Sequence, residues 1–241
     1  MGEHVTRKIG GALAARRHWC RPDEFIRLAV GASLKSSRFD VGGVPWYGFT
    51  DGQVAAGRGE RVIDAVDSVS SLVQLDDAGA SPPPVVYYGP HPQVEIMRAL
   101  YAANPDAVLT WVLTSQRFVL QETPLERKET GESDSLLGKA RKLGAGVRDF
   151  SRDVVDIFTD KKFGDYAPGV PVPLADVAVR AEFPAQRIRM ITQARRHLPV
   201  DYSPRRVSTL RIELDDESGV DVITDSEENC ARLHAMAFGQ Q

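Results

Sequence analysis

Residues 106–122 read DAVLTWVLTSQRFVLQE. Val108, Val112 and Thr114 alternate with Leu109, Trp111 and Leu113, the two-residue period of an extended strand. Both sides of that strand are largely apolar, which predicts a place in the interior of a sheet. Ser115-Gln116 makes a tight corner, and Phe118-Val119-Leu120 returns. Thr114 is expected to hold the corner and Arg117 to fix it to a neighbouring carbonyl or carboxylate, a structural role rather than a ligand-binding one.

Working towards the N-terminus, HPQVEIMRALYAANPD (91–106) reads as a helix. Pro92 falls in its first turn, Val94, Met97, Leu100 and Tyr101 share one face, and Asn104-Pro105 stops it. VVYYG (85–89) is a short strand behind the stiff GASPPP (79–84). RVIDAVDSVSSLVQLD (61–76) is β-rich. Residues 1–60 form an N-terminal extension that is partly loop. Within it 7–18 is a short basic helix, RPDEFIRLAVGASL (21–34) fits a helix or a strand, and 39–60 is a glycine-rich loop interrupted by Trp46, Tyr47 and Phe49.

Towards the C-terminus, 124–135 is a charged linker. Leu136, Ala140, Leu143, Val147, Phe150, Val154 and Ile157 then recur at alternating spacings of four and three, an amphipathic helix over 136–158. Its glycines weaken it, so docking on another surface is expected to stabilise it. The last third is a series of strands. Val177, Val179, Ala181 and Phe183 alternate with Arg180 and Glu182 until Pro184. Ile188 and Met190 begin the next strand, and Leu210, Ile212 and Leu214 alternate with Arg211 and Glu213. After DDESG and Val220-Asp221-Val222, Asp225 and Glu228 form a capping box. The final helix carries Cys230, Leu233, Met236 and Ala237.

The 241 residues carry 30 Lys and Arg against 33 Asp and Glu, a net charge of −3 that gives no global attraction to nucleic acid. Cys20 and Cys230 stand far apart and in no zinc spacing. The apolar run Ile9–Ala15 is too short for a signal peptide, and no apolar stretch is long enough to span a bilayer. The chain is therefore expected in the cytoplasm, with a peripheral membrane location left open. The five histidines are scattered. GxSxG, CxxC and GxxxxGK[ST] are missing. No catalytic residue, cofactor or metal site is expected.

Short antiparallel strands closed by one C-terminal amphipathic helix resemble the plan of a pleckstrin-homology-like (PH-like) barrel. WVLTSQRFVL (111–120) is similar to the strand-turn-strand of bacterial PH-like and GRAM-type domains. AEFPAQRIRMI (181–191), STLRIELDDESGVDVIT (208–224) and SEENCARLHAMAF (226–238) follow the order of their later strands and closing helix. The resemblance covers about 85–122 and 176–238. It implies an α+β chain with an antiparallel PH-like β-barrel, its first part in 61–123 and the rest in 176–241. The helical segment 124–175 is an insertion at a hairpin, where added chain disturbs least. Such folds host lipid binding, peptide binding and scaffolding, so the resemblance does not choose among them.

Three surface features bear on function. Arg187, Arg189, Arg195, Arg196, Arg205 and Arg206, with Arg211, face one acid, Asp201. They suit an anionic lipid surface or an acidic partner, or they pair internally with ELDDESGVDVITDSEEN (213–229). The helix 136–158 is basic on its polar side, and packing on the barrel or on a second copy, giving a homodimer, is the expectation. Trp46, Tyr47 and Phe49 suit a membrane-inserting tip, a ligand platform or a lid on a sheet edge. The resulting expectation is a non-enzymatic binding or scaffold protein that docks on a protein partner or an anionic membrane surface. The alternatives are a small enzyme with an unrecognised site and a nucleic-acid-binding protein using the arginine segment.

Overall fold

The runs on either side of the Thr114–Arg117 corner form the central hairpin of a sheet. In the computed structural model, which describes residues 9–48, 79–104, 107–123, 171 and 173–240, β4 (Val108–Thr114) and β5 (Arg117–Thr123) pair antiparallel, Trp111 opposite Leu120. Two further strands complete this sheet, β1 (Ile26–Ala32) on β4 and β6 (Ala178–Pro184) on β5, all antiparallel. β4 is thus an interior strand with both faces covered, as its apolar residues require.

The second sheet runs β2-β3-β9-β8-β7, from β2 (Arg38–Val41) and β3 (Val85–Gly89) through β9 (Gly219–Thr224) and β8 (Arg206–Leu214) to β7 (Ile188–His197). β2 and β3 are parallel and the other neighbours antiparallel. A 3-10 turn, Ala185–Arg187, carries the chain from β6 into β7. Pro184 cannot donate to a continued ladder, which helps the chain leave the first sheet there. Three helices complete the described residues: α1 (Gly11–His18), α2 (Glu95–Tyr101) and α3 (Glu227–Ala237).

The core lies between the sheets. Leu28, Leu109, Leu113, Leu120 and Phe183 face Phe39, Val85, Leu210, Ile212 and Val222, and α2 adds Ile96, Met97 and Leu100. Trp111 is the largest link. Its ring stacks on Phe118 at 4.6 Å, and its Nε1 donates to the Tyr87 hydroxyl at 3.2 Å, joining β4 to β3 across the core. On the other face of the first sheet, α1 sets Ala15 against Ala29 and Val112. Its small side chains allow close approach, and Arg16, Arg17 and His18 sit in its last turn, where the helix dipole favours positive charge.

Several expectations change here. The structure is α+β with mostly antiparallel pairing, but neither sheet closes into a barrel: β1 and β6 end one sheet, β2 and β7 the other. Residues 9–48 contribute a strand to each sheet, β1 to the first and β2 to the second. Residues 21–34 were readable either way, and pairing with β4 makes Ile26–Ala32 within them a strand. Ser226, not Asp225, caps α3 by accepting from Asn229 N, while Asp225 holds the Asn229 side chain. Tyr101 stays partly exposed on α2. The β-rich reading of 61–76 and the helix expected over 136–158 lie outside the described residues.

α3 buries Cys230 and Ala237 and packs on β7, β8, β9 and β1. Arg27 of β1 donates to its Ala237 carbonyl at 3.2 Å. Truncation after Thr224 is expected to expose the end of the core and give a protein that binds hydrophobic dyes and is readily cut by protease. A truncated chain that stays soluble and melts cooperatively would contradict this role for α3.

Candidate interaction surfaces

The corner at 114–117 is held from a distance. The Thr114 hydroxyl accepts the N–H groups of Gln116 and Arg117 at 3.1 and 3.0 Å and donates to Glu24 Oε1 at 2.5 Å. Arg117 grips the same carboxylate with two prongs, Nε to Oε1 at 2.8 Å and Nη2 to Oε2 at 2.6 Å, and reaches Glu182 at 2.8 Å. Trp19 lies 3.8 Å from the guanidinium carbon, a cation–π contact. Arg117 therefore has the structural role expected of it. Glu24 was not singled out in the sequence, because its partner is 93 positions away. A polar cleft of about 410 Å³ opens beside the corner, lined in part by Arg21, Ser115, Gln116 and Gln186.

A second buried carboxylate organises the arginine segment. Asp221 on β9 is fully buried and receives Arg211 through two bonds of 2.8 Å and Arg196 at 2.7 Å. Arg196 also reaches Asp40 on β2 at 2.7 Å. The Arg211 guanidinium lies over the Tyr88 ring at 4.5 Å. Burial, and then the Asp221 charge, push the Tyr88 phenol well above its usual range. Gly219 makes this packing possible, since a Cβ there would sit 2.4 Å from the Tyr88 hydroxyl.

The remaining arginines divide into two groups. Arg187 pairs with Asp215 and Glu95, Arg189 with Glu213 and Glu217, and Arg195 with Glu227. Arg205 and Arg206 have no carboxylate partner among the described residues, and Arg206 Nε donates instead to His197 Nε2 at 3.0 Å. The internal-pairing reading thus accounts for Arg187, Arg189, Arg195 and Arg196. It leaves Arg205 and Arg206 at the β7–β8 connection.

The aromatic loop meets that same connection. Trp46 accepts the Phe39 N–H through its carbonyl and donates from Nε1 to the Tyr202 hydroxyl at 3.3 Å. The Tyr47 hydroxyl donates to Asp201 at 2.7 Å, under the Arg38 guanidinium. Trp46 lies along the outer edge of β2 and Tyr47, half exposed, follows it, while Phe49 lies outside the described residues. Val200, 80 % exposed, projects from the tip.

Among the described residues no cluster of His, Cys, Asp and Glu is arranged to hold a metal ion, and no helix is long and apolar enough to cross a membrane. No protein-family model, curated protein or solved structure matches the chain.

The Arg117 hydrogen bonds hold the Glu24 carboxyl at about 2 against 4.5 in an unfolded chain, outweighing its burial. A carboxyl depressed on folding contributes its stability in full above its unfolded pKa, and loses it as pH falls through the folded one. Here that window runs from 4.5 down to about 2. The contribution is roughly 3 kcal/mol. Glu24→Gln should cost about 3 kcal/mol or more near neutral pH by weakening the hold on a buried guanidinium. It should also flatten the acid loss seen in urea unfolding between about pH 5 and about pH 3. Parallel stability curves for wild type and variant would show that Glu24 does not carry this term.

Proposed function

We propose that this chain is a non-catalytic docking protein of PH-like plan that binds a protein partner. The order of elements supports the plan: β1, β4, β5 and β6 form one antiparallel sheet, β7, β8 and β9 follow as a meander, and α3 packs across them. β2, β3 and α2 stand between the first and second strands of that series and extend the second sheet.

The observation that favours a protein partner over an anionic membrane is the charge pairing of the arginine segment. Binding of lipid headgroups needs several guanidiniums free to meet phosphate. Arg187, Arg189, Arg195 and Arg196 already meet carboxylates of this chain. The membrane reading rests on Arg205 and Arg206 beside the exposed Val200, and two basic residues near an anionic surface contribute only about 2 kcal/mol.

Sedimentation with vesicles separates the two readings. A protein-docking chain should stay in the supernatant with acidic and neutral vesicles alike, at low and high salt. Replacing Arg195, Arg196, Arg205 and Arg206 together by Ser should then lower thermal stability, because Asp221 loses one of its buried partners, a change of about 3 kcal/mol or more. Replacing Arg205 and Arg206 alone should leave the melting temperature within about 2 °C. Salt-sensitive sedimentation with acidic vesicles, abolished by the Arg205 and Arg206 replacement, would overturn the protein reading in favour of the membrane.

A further inference from the structure

The segment leading into β1, the corner at 114–117 and the step from β6 to β7 meet around the polar cleft. Its volume of about 410 Å³ falls in the range of ligand pockets, roughly 300–1,000 Å³. Its walls differ in chemistry. Arg21, Ser115 and Gln186 offer hydrogen-bond donors, Glu182 offers a carboxylate, and Pro184 and Ala185 form an apolar stretch. Phe25 exchanges backbone bonds with Ser115 and is 68 % exposed, a large apolar ring at the rim.

Arg117, also in the lining, is already held by Glu24 and Glu182. Arg21 is not committed in this way. It is exposed, it has no carboxylate partner among the described residues, and its Nη1 donates to the neutral Gln116 Oε1 at 3.3 Å. That amide is shared, since Gln116 Nε2 donates to Asp23 at 3.0 Å. A hydrogen bond between opposite charges is about twice as strong as one between neutral groups, so a ligand carboxylate would displace Gln116 from Arg21. The Ser115 hydroxyl accepts the Phe25 N–H at 3.2 Å and keeps its own proton to donate. Glu182 sets a second requirement. Its Oε2 accepts from Arg117 at 2.8 Å, while Oε1 has no partner among the described residues and the side chain is 38 % exposed. It repels a run of acidic side chains and accepts an N–H.

The last residue of a polypeptide meets both requirements, because it carries a carboxylate and, next to it on the same backbone, an N–H. We propose that the cleft between Arg21 and Glu182 binds the free C-terminus of a partner protein. This rests on the docking reading above and names its site and partner chemistry. The terminal carboxylate would take Arg21 and the Ser115 hydroxyl, and the N–H of the last residue would donate to Glu182. An apolar last side chain would lie on Pro184 and Ala185 beside Phe25. Capture of a terminal carboxylate is a recurring mode of peptide recognition.

The test titrates the full chain with peptides that share a neutral, flexible stem and end in each amino acid in turn, each made as the free acid and as the C-terminal amide. Amide spectra register weak binding and locate it. Free acids with an apolar last residue should bind and shift Ser115, Gln116, Ala185 and Gln186, and amidation should weaken binding by roughly tenfold or more. Arg21→Gln should cause a loss of similar size and, its side chain being exposed, leave the melting temperature within about 2 °C of wild type. Arg205→Ala with Arg206→Ala, at the tip, should have little effect. Equal binding of acid and amide, binding that survives Arg21→Gln, or shifts confined to another surface would overturn the proposal while leaving docking elsewhere open. No binding by any peptide would overturn it as well, and together with salt-sensitive sedimentation on acidic vesicles would overturn the docking reading itself.

Discussion

Arg117 sits almost out of reach of water, and a buried guanidinium is tolerated only where carboxylates face it with good geometry. Glu24 meets that demand with both oxygens and also takes the Thr114 hydroxyl. One buried carboxylate thereby fixes the tightest corner of the central hairpin to the segment that leads into β1. Trp19 covers the guanidinium, and Arg16 bonds the Glu24 carbonyl, so the end of α1 joins the same unit. Apart from this knot, α1 meets the outer face of the first sheet through small apolar contacts, Ala15 on Ala29 and Val112.

The same constraint operates on the second sheet. Asp221 is fully enclosed, and Arg196 and Arg211 neutralise it from two neighbouring strands. Arg196 extends the tie to Asp40 on β2, while Arg187 reaches Glu95 on α2 and Arg195 reaches Glu227 on α3. The arginine segment is thus a set of cross-element ties. The buried ties carry most of the energetic weight, since exposed pairs contribute only about 0–1 kcal/mol each. The β8–β9 turn adds a tie of its own. Asp216 accepts from Ser218 within the turn and from Glu95 N at the start of α2.

These ties also shape the surface left for partners. They commit most of the positive charge near β7 to the protein itself, leaving Arg205 and Arg206 at the tip without a carboxylate partner among the described residues. The aromatic loop is committed too. Trp46 and Tyr47 meet Tyr202 and Asp201, so two features far apart in sequence become one end of the molecule.

Much of the local structure was legible because it depends on local rules. Strict alternation through 108–120 specified the hairpin, and both apolar faces placed β4 inside a sheet. Residues 177–183 and 210–214 announced themselves by the same period, Ile188 with Met190 marked the start of another strand, and the apolar residues of 226–238 announced the closing helix. The cap of that helix was misread by one residue, because Asp225 and Ser226 are both competent caps and only the backbone at 226 decides between them. The fate of residues 21–34 was open, since a short apolar run suits either period until a partner strand is supplied. By itself the sequence determined the hairpin, the later strands and the helices, because those choices are settled within a few neighbouring residues, while β2 fell at the start of a stretch read as loop. Tertiary structure alone decided that the sheets stay open, that β1 and β2 belong to them, and that Arg117 and Arg196 find Glu24 and Asp221. A buried charge selects its partner by proximity in the folded chain, and separation along the sequence carries no trace of that choice.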